Sequence, residues 1–233
     1  METIINRMQN TYSKSGLVLD ISCQKLQETG RDIIRDKSRH MNHGMCINET
    51  NIIQTKEGIC ALSVDGVNDY VEVPDNASLK PTKVVTMEFW ANPSSYSDVT
   101  INRCLGFAVQ QGYSFWQWAK NGVPWHWCVE LNKIGDTRRH IDMGLNLIPL
   151  NTYTHIVTIF DTENGKITVY KNGGVFSEMI VLTGDIVYSG NFLIGDKFKG
   201  IFDELRIYNR ALSAEEVRGN MFTSKRYKYM RGV

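Results

Sequence analysis

An excess of charge of either sign is absent from this 233-residue chain, which carries 26 Lys and Arg against 25 Asp and Glu. Without a net field to hold phosphates, we do not expect nucleic acid as a partner. Long apolar runs are absent too: no segment approaches the roughly eighteen residues of a membrane span, and residues 1–16 contain no hydrophobic stretch typical of a secretion signal. The sequence therefore predicts neither membrane insertion nor signal-directed secretion.

Cysteine motifs are missing as well. The five cysteines are Cys23, Cys46, Cys60, Cys104 and Cys128, and no two of them form a CxxC pair. An odd number leaves at least one thiol unpaired, and the spacing matches no zinc or redox motif. We interpret the cysteines as reduced, mostly buried side chains.

Helical periodicity is nearly absent, and short β-rich runs separated by Gly, Asn, Asp and Pro turns fill the chain from about Gly16 onward. This pattern is typical of an antiparallel sandwich or barrel. The predicted strands are 17–21, 59–64, 70–73, 84–91, 104–110, 113–119, 125–131, 138–142, 153–160, 166–170, 192–194 and 201–208. So many strands in a chain of this length predict two large sheets packed face to face.

Three local motifs predict two turns between strands and one helix at the end of the fold. Asn164-Gly165 and Asn172-Gly173 have the residues of type I′ turns, in which both φ angles are positive. Ser213 and Glu216 form a capping box, which predicts a helix of two turns that ends near Asn220.

We divide the chain into an N-terminal arm (1–14), one domain (15–222) and a basic C-terminal tail (223–233). Cations and aromatic residues are mixed in the tail between Lys225 and Arg231. We interpret this segment as a solvated basic strip. The alternative is that its aromatic side chains dock on a neighbouring subunit.

The segment ALSVDGVNDYVEVP, at 61–74, closely resembles a signature of the concanavalin A-like, laminin G-type jelly-roll family. Similar segments follow in the family's order: TMEFW at 86–90, YTHIV at 153–157, GKITVYKNG at 165–173 and FKGIFDELRIYNRALS at 198–213. The resemblance spans about 16–220. It implies an all-β jelly-roll sandwich of two antiparallel sheets with one short C-terminal helix.

Strand alternation places Asp203 on the inward face of its strand, and a buried carboxylate needs a cation or several N–H donors. In the resembled family an Asp at this position helps to hold calcium. Asp36 matches a second position, in a loop similar to the family's Asp-x-Ser-Gly-x-x-Asn-x-Gly. The resemblance thus implies a Ca²⁺ site at Asp36 and Asp203, completed by carbonyls and water. Arg39 replaces the Gly of that loop, and the alternative is that Asp203 pairs with a cation such as Arg39 or His43.

Four of the five tryptophans are close in sequence: Trp116, Trp118, Trp125 and Trp127. A two-residue loop at Asn121-Gly122 places all four indoles on one surface of the sheet, whereas a three-residue loop splits them. A one-sided set is either buried core or an exposed platform on which sugar rings stack, with His126 adding a polar contact. A third alternative is a face that packs on another subunit.

Catalytic signatures of this fold class are missing. The β-glucanase-type members carry Glu-x-Asp-x-x-Glu, which places two carboxylates about 5 Å apart, and neither this motif nor Gly-x-Ser-x-Gly occurs here. His155 lies at a strand position that matches the family, and we interpret it as a packing histidine. We therefore predict that the protein is not an enzyme.

The resemblance implies a carbohydrate-binding or adhesion module, and the second hypothesis is a structural protein of a larger assembly. Most modules of this type act outside cells and follow a secretion signal, whereas virion proteins are made in the cytosol and reach the exterior by lysis. We therefore expect an oligomeric decoration or adhesion protein on a virion or similar particle. Its expected partners are like subunits or other structural proteins, and surface glycans. The alternatives are a bacterial lectin exported without a signal and a glycan-active enzyme.

Overall fold

The computed structural model describes residues 13–28, 31–54, 60–95, 101–107, 112–120, 123–132, 139–144, 147–181 and 183–232. Sixteen strands lie within this part of the chain. They are β1 (Leu17–Glu28), β2 (Arg31–Asp36), β3 (Gly44–Ile47), β4 (Asn51–Gln54), β5 (Cys60–Asp65), β6 (Tyr70–Val73), β7 (Val84–Pro93), β8 (Ile101–Gly106), β9 (Tyr113–Lys120), β10 (Val123–Leu131), β11 (Arg139–Asp142), β12 (Thr154–Asp161), β13 (Lys166–Lys171), β14 (Gly174–Ile180), β15 (Phe192–Ile194) and β16 (Lys199–Tyr208).

The strands form one antiparallel ladder in the order β11-β10-β9-β8-β15-β6-β3-β2-β1-β16-β7-β12-β13-β14, with β4 and β5 attached beside β16. The ladder folds back on itself, so that its two halves face each other across the core. Phe89 of β7 and Phe115 of β9 belong to opposite halves, and their ring centroids are 5.1 Å apart in an edge-on contact. The architecture is the predicted all-β jelly-roll sandwich.

Apolar residues at alternate strand positions form the core between the halves. On β10, Trp127, Val129 and Leu131 are all buried in the same cluster, as the two-residue period of a strand requires. Each large side chain that is fully buried stabilises the fold by about 1.5 to 3 kcal/mol. A second, smaller apolar cluster lies outside this sandwich and includes Val157 of β12 and Tyr208 of β16.

The first of two helices at the C-terminal end packs on this second cluster. Helix α1 (Ala214–Thr223) contributes Val217 to it. The predicted capping box is confirmed: the Glu216 N–H donates to Ser213 Oγ at 3.2 Å, and the Ser213 N–H donates to the Glu216 carboxylate at 2.9 Å. A short 3₁₀ turn (Ala77–Leu79) precedes β7.

Helix α2 (Lys225–Arg231) follows directly and begins at Ser224, whose Oγ accepts the Tyr227 N–H at 2.9 Å. The sequence predicted one C-terminal helix and a solvated strip after it. The segment is helical and the side chain of Arg226 is only 2% exposed, so the solvated-strip prediction is wrong for Arg226, whereas Lys225 and residues 229–232 are exposed. None of the helices in the described part of the chain is long and apolar enough to cross a bilayer.

All twelve predicted strands have counterparts, and β2, β3, β4 and β14 are additional. The turn at Asn172-Gly173 has the expected positive φ angles of 50° and 78°. At Asn164-Gly165 only the glycine has a positive φ, so the type I′ prediction is wrong there. The predicted N-terminal arm lies outside the described residues up to position 12. Of the cysteines whose side chains the structure describes, Cys104 and Cys128 are buried and Cys46 is partly buried.

Candidate functional site

The hairpin of β9 and β10 carries the tryptophans. Lys120 pairs with Val123, so two residues connect the strands. This is the loop length for which the sequence predicted all four indoles on one surface. A β-bulge between Val123 and His126 then shifts the register by one residue. A one-residue shift moves the following side chains to the opposite face of the sheet.

After the shift, Trp116 stands opposite Cys128, and Trp118 opposite His126. Trp127 stands opposite Gln117 and therefore lies on the other face from Trp116. The prediction that all four indoles share one surface is wrong. The side chains of Trp118 and Trp125 lie outside the described ones.

Trp127 is a core residue. It is fully buried, its ring stacks on Phe115 with centroids 5.2 Å apart, and its Nε1–H donates to the Ile148 carbonyl at 3.0 Å. Trp116, on the outer face, is only 3% exposed. Neither ring is an open platform for a sugar, so the platform prediction is wrong for both residues.

The outer residues of β9, β10 and β11 nevertheless form a polar surface that we call the hairpin face: Ser114, Trp116, His126, Glu130 and Asp142. The first two and Glu130 are buried, whereas the side chains of His126 and Asp142 are 25% and 41% exposed. The hairpin face thus has a buried centre and an accessible polar edge at His126 and Asp142.

His126 and Asp142 form a tight pair at this edge. Nδ1 of the imidazole lies 2.6 Å from Oδ2 of the carboxylate. Because an ionised carboxylate only accepts hydrogen bonds, the imidazole donates from Nδ1. The Gly144 N–H donates to Oδ1 of Asp142 at 2.8 Å, which fixes the carboxylate from the other side.

Asp36, the first predicted calcium ligand, is 2% exposed and saturated by its own loop. Oδ1 accepts the N–H groups of Asp20 and Ser38, both at 2.8 Å. Oδ2 accepts the Ser38 hydroxyl at 2.6 Å and the Asn42 N–H at 2.7 Å. These four donors take the lone-pair positions that a cation would need.

Asp203, the second predicted ligand, binds a cation that belongs to the protein. Nε of Arg226 donates to Oδ2 at 3.0 Å, and Nη2 lies 2.8 Å from the same oxygen. The guanidinium also lies 4.0 Å from the ring centroid of Tyr153. Burial raises the pKa of Asp203 to about 6, with Glu204 adding to the rise and Arg226 opposing it.

The alternative prediction, that Asp203 forms an ion pair with a cation of the protein, is therefore confirmed. The cation is Arg226, whereas neither Arg39 nor His43 contacts Asp203 among the described residues. No group of three or more His, Cys, Asp or Glu that could hold a metal occurs among the described residues. Asp36 and Asp203 each have a complete donor set of their own, and the residues present do not fit a shared Ca²⁺ ion.

A buried polar network under helix α1 was missed by the sequence reasoning. Glu88 is fully buried and accepts hydrogen bonds from Tyr208 at 3.1 Å and Asn220 at 2.8 Å, while its other oxygen lies 2.9 Å from His155 Nε2. Burial alone raises the pKa of Glu88, but the His155 hydrogen bond and the charge of Arg206 hold it below its ordinary value. His155 is a packing histidine, as predicted.

The structure places the chain in the class of antiparallel jelly-roll sandwich proteins. The sequence profile described as the concanavalin A-like lectin/glucanases superfamily matches residues 65–218. The chain belongs to this superfamily. No curated protein sequence matches it.

Solved structures with a similar fold include the binding domains of a mosquitocidal protein and of botulinum neurotoxins. The binding domain of Paraclostridial Mosquitocidal Protein 1 has a TM-score of 0.69 and 17% identity, over 88% of this chain and 51% of that one. The botulinum neurotoxin serotype G binding domain has a TM-score of 0.65 and 15% identity, over 88% and 50%.

A third structure, of botulinum neurotoxin type C, whose cell entry is described as dependent on two ganglioside molecules, has a TM-score of 0.63 and 13% identity, over 87% and 50%. The chain thus spans about half the length of these structures. At such identities the likeness concerns the fold.

Proposed function

We propose that this chain is a non-catalytic glycan-binding module of a decoration or adhesion protein on a virion-type particle. Membership of a lectin-containing superfamily supports the binding role, as do structural neighbours that are binding domains of toxins. The missing glucanase motif supports the absence of catalysis.

The observation that carries the proposal is the His126–Asp142 pair at the edge of the hairpin face. A partly exposed donor and acceptor, held in fixed geometry, suit the hydroxyl groups of a sugar, which need hydrogen-bond partners in defined directions. In the strand register, the backbone of Trp118 lies opposite that of His126.

The experiment is a glycan array with the wild-type protein and two variants, Asp142→Asn and His126→Ala. Both variants should fail to bind the glycans that the wild type binds on the array. Each change removes the hydrogen bond that holds the remaining side chain in position for a sugar hydroxyl. The matched control is Glu178→Gln on β14, at the other end of the ladder. This change removes a carboxylate from an exposed ion pair with Lys166 of β13.

A blank array for the wild-type protein contradicts glycan binding by the hairpin face, and so does equal binding by the wild type and Asp142→Asn. Release of reducing ends from any bound polysaccharide contradicts the non-catalytic part of the proposal.

The particle-associated part of the proposal is supported by apolar side chains on the C-terminal helices. Phe222, Tyr229 and Met230 are each about half exposed, at 48%, 49% and 48%. We expect them to contact a like subunit, because monomeric proteins seldom expose such groups together. Sedimentation velocity should show a smaller assembly for Tyr229→Ser than for the wild type. Unchanged sedimentation would contradict this contact.

A further inference from the structure

A pocket of about 430 Å³ opens beside the beginning of β1 and the loop between β2 and β3. Its lining residues are Lys14, Ser15, Gly16, Leu17, Lys37, Ser38 and Arg39. Three of these seven are cations and none is an acid. Since the whole chain has a formal net charge of only +1, this lining is a local concentration of positive charge.

The backbone under the three cations is held in place. The carbonyl of Lys14 accepts the Leu17 N–H at 3.3 Å, and Gly16 closes this turn with a φ of +71°. A side chain at Gly16 would come within 2.8 Å of Asn209, so the turn packs closely on the domain. Lys14 is therefore presented from a fixed turn.

The loop that carries Lys37 and Arg39 is fixed by Asp36 and Ser38. The four hydrogen bonds to the Asp36 carboxylate hold the loop together, and Ser38 Oγ lies 3.1 Å from the Val18 carbonyl of β1. Ser38 is buried while Lys37 and Arg39 on either side of it are exposed. This alternation directs both cations toward solvent at the pocket.

The cations of the pocket make no ion pair within the described part of the chain, whereas the neighbouring Arg210 does, with Glu216. The nearest acid along the loop, Asp36, is buried and has all its lone pairs occupied. Arg39 is exposed, and its guanidinium is a planar donor fork that matches an oxyanion.

We infer that this pocket binds a sulfate or carboxylate group of an acidic saccharide, through Lys14, Lys37 and Arg39. The pocket is formed by elements other than the strands of the hairpin face. The inference rests on the proposed function only in taking the ligand to be a glycan. Because the backbone under the three cations is already fixed, binding has to order only their side chains and not the loops that carry them. Their attraction is electrostatic, so salt should weaken it strongly.

The test is calorimetric titration with a heparin-derived octasaccharide, its fully desulfated form, a polysialic acid fragment and inorganic sulfate. The variant Lys37→Gln/Arg39→Gln is compared with the wild type and with the control Lys199→Gln/Lys225→Gln, which removes the same charge from exposed positions elsewhere. Lys14→Gln is a second pocket variant. All these residues are on the surface, so the fold should survive.

We expect at least one acidic saccharide to bind the wild type and the control with similar affinity. The same saccharide should bind the Lys37→Gln/Arg39→Gln variant at least tenfold more weakly, and higher salt should weaken its binding to the wild type. Equal affinity in the pocket variant, an equal loss in the control, or no binding to either acidic saccharide overturns the inference. Binding of inorganic sulfate as tight as that of the octasaccharide overturns the saccharide assignment. The glycan array with Asp142→Asn tests the hairpin face and not this pocket. Failure of one proposal is therefore distinguishable from failure of the other.

Discussion

The guanidinium of Arg226 in helix α2 lies against the carboxylate of Asp203 in β16, with both groups at most 5% exposed. The two residues come from elements that the sequence analysis assigned to the domain and to a solvated tail. Their contact joins the last helix to the sheet. A buried charge without its partner is costly, so each residue depends on the other.

Replacing Arg226 should therefore destabilise the whole fold. For Arg226→Met we expect a loss of about 3 to 5 kcal/mol in the free energy of unfolding, because Asp203 stays buried without a cation. Urea unfolding followed by fluorescence measures this loss. Arg231→Met, at an exposed position of the same helix, is the control and should change stability by less than about 0.5 kcal/mol. Similar losses for the two variants would show that Arg226 is not a structural anchor.

The raised pKa of Asp203 predicts a pH dependence of stability. The folded protein holds the Asp203 proton to about pH 6, whereas the unfolded chain releases it near 3.8, so the protonated group favours folding. This contribution is complete below about pH 4 and is lost as the pH rises through 6. At about 1.4 kcal/mol per pKa unit, the loss is on the order of 2 to 3 kcal/mol.

Urea unfolding of the wild type and of Asp203→Asn at several pH values between 4 and 7 isolates this group. The difference in stability between the two proteins should change steadily across the window, since Asn does not titrate. Parallel curves would mean that Asp203 has an ordinary pKa in the folded state.

Much of the fold follows from the sequence because its cause is local. Strands with alternating buried residues, such as β10, and the capping box at Ser213 are visible as patterns. Strand β14 was missed because most of its residues are exposed and it has no buried alternate row to reveal it. The missed β2 has charged residues at both ends, which hide its short apolar centre.

The candidate site was less predictable because it depends on one-residue details and distant contacts. The bulge before His126 reverses the faces of the tryptophans, and nothing in the loop length at 121–122 announces it. The burial of Arg226 depends on Asp203, which is 23 residues away in sequence.

The calcium prediction is open to a direct thermal test. The donors on Asp36 and the Arg226 contact on Asp203 lead us to expect the same melting temperature with EDTA and with millimolar Ca²⁺. A ligand that binds only the folded state raises that temperature. A rise with Ca²⁺ that is lost in Asp36→Asn but kept in Asp75→Asn, an exposed carboxylate elsewhere, would restore calcium at this loop.

Glu216 should act on stability with the opposite pH sign to Asp203. The Arg210 hydrogen bond, helped by the Ser213 N–H, lowers the pKa of Glu216 to about 2. Its stabilising effect is present above about pH 4.5 and is lost as the pH falls toward 2. Glu216→Gln should cost about 1 kcal/mol at pH 7, as loss of a helix cap does, and the cost should vanish at low pH. Glu163→Gln, at an exposed position of a different turn, is the control.

The core position of Trp127 predicts that its loss affects stability and not glycan binding. Trp127→Ala should lower the free energy of unfolding by about 3 to 5 kcal/mol, because it empties a core position stacked on Phe115 and leaves the Ile148 carbonyl unpaired. Urea unfolding followed by fluorescence measures this loss, and the folded fraction should still bind glycans on the array. Loss of glycan binding by folded Trp127→Ala would contradict the assignment of this indole to the core.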